Sequence, residues 1–148
     1  MNMNFEKRSN DLWEKIEATP ELIDNTLTLA KRDLHTAKTV FESRDYDWSF
    51  AISYNAMLQA GRALMFSEGV RPKGEFKHVS VVEFCKKRFG KEFSEKVLFM
   101  MDKIRKKRHI AVYEQVNIVS TEEAENALRL ATEFVHKVSS ILKAEVIK

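Results

Sequence analysis

Five positive charges fall within six residues, Lys103, Arg105, Lys106, Lys107 and Arg108, and the run leads into His109 and, one helical turn on, Tyr113. Residues three and four apart share a helix face, so like charges there repel by roughly a few tenths of a kcal/mol per pair. A run kept without obvious acidic partners fits either a solvated face or a surface that holds anions. The forked guanidinium of an Arg suits a phosphate in a cleft, or an ion pair inside a bundle or across a dimer interface. His109, flanked by cations, is biased toward the neutral imidazole that a general base needs near neutral pH. Tyr113 adds a hydroxyl. Lys103, Lys106 and Lys107 are candidates to hold a nucleic-acid backbone or a nucleotide.

Other reactive types are sparse. His35, His78 and His136 have no carboxylate or His partner at convincing metal-ligand spacing, so no metal site is expected. Cys85 is the single cysteine and is read as a small core residue. There is no glycine-rich phosphate loop and no serine-centred nucleophile elbow, and no cofactor is expected.

The elements that carry these residues read as helices. Only four Gly and two Pro occur in 148 residues, with 44% hydrophobic and 32% charged positions, which favours long helices over many short strands. Residues 1–18 form a polar lead-in, with Phe5, Leu12, Trp13 and Ile16 suggesting a short helix against the main body. Thr19-Pro20-Glu21 supplies a cap, a first-turn proline and an acid for the first long helix. Its apolar series is Ile23, Leu27, Ala30, Leu34, Ala37 and Phe41. After a turn at Ser43 to Asp47, a second helix carries Ala51, Tyr54, Leu58, Gly61 and Met65 and stops at Gly69. Residues 70–77 read as a loop. A short third helix runs from Val79 to Phe89. The fourth starts near Lys91 with an apolar stripe at Phe93, Val97, Met100 and Ile104, whose next step brings Arg108 near the seam and leaves Lys103 and Lys106 facing water. Ser120 and Glu123 form a capping box for the last helix. The prediction is an all-α, up-and-down bundle of four long helices plus one short helix, with residues 19–148 as one domain.

The net charge of +3 is unevenly spread: residues 61–115 carry fourteen Lys/Arg against seven Asp/Glu. Such clustering attracts an acidic partner or nucleic acid. No apolar stretch reaches the roughly 18 residues of a membrane span, and the N-terminus lacks a secretion-signal core. A cytoplasmic location and no membrane association are therefore expected.

Ser53-Tyr54-Asn55-Ala56-Met57-Leu58-Gln59-Ala60-Gly61-Arg62-Ala63-Leu64 with Gly69, then His78, then Arg108-His109-Ile110-Ala111-Val112-Tyr113 followed by Val119 to Ala124, occur in an informative order. From about Leu22 to Leu142 the chain resembles the HEPN family (higher eukaryotes and prokaryotes nucleotide-binding domain). The resemblance implies a bundle of four to five helices, usually a homodimer. Active members of the family are metal-independent ribonucleases. Their signature is an Arg, often a polar residue, and a His about four to six positions after the Arg, with two such motifs meeting in the dimer cleft. Many are toxins encoded beside a small nucleotidyltransferase that acts as antitoxin, and others are noncatalytic. Here Arg108 matches the Arg, His109 stands at the polar position, and Tyr113 stands where the His is expected. Arg105 with His109 is an alternative pairing with a shorter gap. The leading expectation is a nucleotide-, RNA- or partner-binding module working with a small nucleotidyltransferase. The alternative is a ribonuclease using Arg108 or Arg105 on the phosphate and His109 as base. A purely structural dimerisation module is the third reading.

Overall fold

The computed structural model describes residues 12–74 and 77–147. Among the described residues there are two three-residue strands and five helices: β1 (Trp13–Lys15), α1 (Pro20–Glu42), α2 (Tyr46–Ser67), β2 (Val70–Pro72), α3 (Lys77–Phe89), α4 (Glu95–Tyr113) and α5 (Thr121–Ile147). This is the expected all-α bundle of four long helices and one short one. No helix among the described residues is long and apolar enough to cross a membrane.

Side chains close the helix ends as the sequence suggests. Thr19 Oγ1 accepts the Leu22 amide at 3.1 Å, and Pro20 opens α1. Asp45 accepts the Trp48 amide at the start of α2. At α5, Ser120 Oγ accepts the Glu123 amide and Glu123 Oε1 accepts the Ser120 amide, both at 3.1 Å, completing the capping box. The fourth helix starts later than expected. Ser94, not the region of Lys91, is its cap, accepting the Val97 amide at 3.2 Å.

α2 is the axis of the bundle. Most of it is buried, with only a narrow half-covered stripe at Asn55, Gln59 and Arg62, and it encloses Tyr54, Met57, Leu64 and Met65. Small residues on its flanks, including Ala56, Ala60, Gly61 and Ala63, let its neighbours come close. A Cβ on Gly61 would run into Val81 Cγ1 of α3, so only glycine fits that crossing. α1, α3, α4 and α5 all pack on α2, and α1 also packs on α5.

Three expectations change. The segment read as a loop contributes β2, which pairs antiparallel with β1 in the register Trp13↔Pro72, Glu14↔Arg71, Lys15↔Val70. The helix expected in the lead-in lies outside the described residues over positions 1–11, while residues 13–15 are extended. Leu12 is buried, and its carbonyl accepts a hydrogen bond from Ser80 Oγ. Trp13 meets Phe84 edge-on at 5.6 Å. The buried stripe of α4 is also rotated from the one expected. It runs through Leu98, Met101 and Ile104, and leaves Val97 and Met100 only partly covered.

Candidate functional site

The apolar face of α4 continues past Ile104 into Arg105 and Arg108, both half-buried. Helix α2 meets this polar end of the seam with Tyr54, whose ring is fully enclosed, and α3 meets it with His78. Arg108 Cζ sits 5.6 Å from the centre of the Tyr54 ring. The Tyr54 and His78 rings stack with centroids 5.5 Å apart and planes 6° from parallel.

Tyr54 Oη lies 2.9 Å from Nδ1 of His78. The phenol has no other partner among the described residues. A buried hydroxyl without an acceptor is costly, so we assign the phenol as donor to a bare Nδ1, which leaves the proton of the neutral imidazole on Nε2. The electrostatics agree. Burial, then Arg108, then Arg105 hold His78 below its ordinary value of 6.5. Burial also pushes the Tyr54 phenol well above its ordinary range, against the pull of Arg105 and Arg108. Both groups are therefore neutral near pH 7, facing two cations.

The two arginines differ in their partners. Arg105 Nε donates to Asp102 Oδ1 at 2.9 Å, and Lys106 approaches the other oxygen of Asp102 at 3.5 Å. Partial burial opposes ionisation of Asp102, but Arg105 and then Lys106 hold its carboxyl below the usual carboxylate range. Arg108 Nε is buried without a hydrogen-bond partner, and no described carboxylate forms an ion pair with this guanidinium. A half-buried cation against an aromatic face, with unused donors, is suited to receive an anion.

The remaining sequence candidates go elsewhere. An α-helix turns about 100° per residue, so His109 leaves the seam that Arg108 occupies. It is exposed, with its ring 5.1 Å from that of Tyr113, which is 67% exposed. His109 and Tyr113 thus form an outer pair, while Arg108, Arg105 and His78 form an inner cluster. Lys107 is paired with Glu123 of α5, whose carboxyl that lysine holds low. Lys103 and Lys106 are exposed, as expected. Cys85 is buried in the core, and its thiol is pushed up to about 12, which removes it as a nucleophile. No group of three or more His, Cys, Asp or Glu among the described residues could hold a metal ion.

Sequence reasoning missed Tyr54 as a member of the cluster. The available signal was a phenol on the apolar side of the second helix, away from the Asn55, Gln59 and Arg62 stripe, whose hydroxyl must find a partner inside the fold.

The family profile of the HEPN domain matches residues 24–141, and the chain belongs to that family. The match includes every residue of the inner cluster and both residues of the outer pair. None of the curated proteins compared with the chain matches it.

Proposed function

We propose that the chain is a nucleotide- or RNA-binding module in which Arg108 receives a phosphate. The observation that carries this reading is the buried, unpartnered Nε of Arg108 beside a neutral His78. Arg105 adds a second positive charge acting on the same imidazole. The module acts as a homodimer. Phe99, 65% exposed, and Tyr113 stand about four helical turns apart on one face of α4 and support self-association through that face. A small nucleotidyltransferase is the proposed protein partner.

A second reading, metal-independent RNA cleavage, is favoured by His78 rather than His109. His78 is the imidazole beside Arg108, but cleavage would need its other tautomer, with the proton on Nδ1 donated to the Tyr54 oxygen, before a bare Nε2 could take the proton from a 2′-hydroxyl as that oxygen attacks phosphorus. The leaving 5′-oxygen then needs a proton, and Tyr54 is too enclosed to deliver it. Binding therefore stands first.

The test is fluorescence anisotropy with a labelled single-stranded RNA, run with a salt series and a gel for products. Losing a hydrogen-bonded charge contact is worth roughly 1.5–3 kcal/mol, so Arg108→Met is expected to weaken binding about 10- to 100-fold. Its salt slope should fall by about 0.7. Equal affinity of the two proteins would overturn the assignment. Products that depend on His78 would move the reading to cleavage. Co-expression with a small nucleotidyltransferase should give a complex of fixed stoichiometry, and sedimentation of Tyr113→Glu should show loss of the dimer.

A further inference from the structure

A recess lies on another flank of α4, its lining centred roughly 80° around the helix from Arg108 at about 100° per residue. α4 and α5 follow one another in sequence and run antiparallel, yet each packs on α2 rather than on its neighbour. Between them opens a groove of about 540 Å³. The buried side chains of Phe50 of α2, Ile104 and Ala127 form an apolar floor, and the half-covered side chains of Val97, Met100 and Leu130 form the walls. At about 1.5 Å per residue the stretch from Lys96 to Lys107 spans about 16 Å.

Contacts between the two segments flank the groove along the chain on either side. At one, Phe93 stacks on Phe134 with centroids 4.7 Å apart. At the other, Lys107 bridges to Glu123. A partner helix needs an open trough to run through, whereas an apolar slot of this size, flanked in this way, falls in the range of roughly 300–1,000 Å³ typical of small-molecule sites. The rim has a sign. With Lys107 and Glu123 neutralising one another, Lys96, Lys103 and Arg129 face a single acid, Glu133. Lys96 and Lys103 are exposed and form no ion pair among the described residues.

We propose that this groove binds an anionic amphiphile, a molecule with an elongated apolar body and one carboxylate head. The body lies along Val97, Met100 and Leu130, and the head is held at the rim by Lys96 and Lys103. Lysine suits this position because its stem extends the apolar wall while its ammonium stays in water. The site is independent of the Arg108 cluster and does not rest on the nucleic-acid reading.

The experiment is methyl NMR of the whole chain titrated with decanoate, with calorimetry alongside. Decanoate should shift the methyls of Val97, Met100, Ile104 and Leu130 and leave His78 unmoved. Acetate should shift nothing, and decyltrimethylammonium should bind far more weakly. Lys96→Glu with Lys103→Glu, both at exposed positions, should weaken decanoate by about tenfold, and Leu130→Glu should abolish binding. Equal affinity for the cationic and anionic chains, no shift with decanoate, or unchanged binding in these variants would overturn the proposal. Tighter seating of an acidic helical peptide on the same methyls would overturn the choice of occupant. RNA shifting those methyls would overturn the independence of the two sites.

Discussion

Replacing Arg108 by Met should make the free protein more stable, the reverse of what removing a half-buried charge usually does. The guanidinium has a buried Nε with no acceptor and no carboxylate partner. A donor left in this way costs about 1–3 kcal/mol. What opposes the substitution is the contact with the Tyr54 ring, worth about 0.5–1 kcal/mol at a partly exposed site. Methionine keeps most of the stem packed on that ring. The difference leaves Arg108→Met about 1 kcal/mol more stable, which for a chain of this size raises Tm by about 2–4 °C. Scanning calorimetry at pH 7.5, without RNA or nucleotide, measures it directly. The same variant relieves His78 of a neighbouring cation, so the His78 titration followed by NMR should move up toward 6.5. A midpoint several degrees below that of the wild type would refute the reasoning. It would mean the guanidinium holds the bundle together and does not stand ready for an anion.

Tyr54→Phe keeps the ring stack and removes one buried hydrogen bond, so urea unfolding should show a loss of about 1 kcal/mol, and a double-mutant cycle with His78→Phe should show coupling. Because the folded protein holds His78 below 6.5, the unfolded chain binds more protons as the pH drops past that value. Stability therefore declines from about pH 6.5 downward until folded His78 also protonates. Chemical denaturation between pH 7 and 5 reads this slope, and His78→Gln should flatten it. Asp102 and Glu123, held below 3.8 and 4.5, act at lower pH. Gly61→Ala forces a methyl into Val81 and should cost about 1–3 kcal/mol, with Val81→Ala in the same chain restoring much of it.

Helix caps and apolar periods were the most legible features, because each is a local rule written over a few consecutive residues. Thr19-Pro20 and Ser120 with Glu123 act as their side-chain chemistry requires. Stepping the apolar stripe of α4 also brought Arg108 to the seam, although the true stripe, Leu98, Met101 and Ile104, is turned from the one expected. The rotation arises because α4 packs against α2 and α3 and leaves its other flank open, which no local pattern records. β1 and β2 escaped because three residues give too little alternation to recognise, and their partners lie more than fifty positions apart. The inner cluster was half visible. Arg108, Arg105 and His78 stood out by type, but adjacency in sequence suggested His109 as the imidazole beside Arg108. On a helix, neighbours in sequence point to different sides, and the imidazole that reaches the arginine's surroundings comes from α3.

The packing of α2 has a consequence for motion. α1, α2 and α5 form a three-helix unit in mutual contact, while α3 and α4 lean on one side of α2. Tyr54 belongs to the first unit, and His78, Arg105 and Arg108 to the second. The cluster is therefore a seam between two bodies rather than a cavity inside one. Any excursion that lifts α3 and α4 from α2 parts the phenol from the imidazole and carries both arginines away together. A phosphate held at Arg108 and His78 would sit on that seam, so its residence and the docking of the two outer helices form one shared equilibrium, read by amide exchange along α3 and α4.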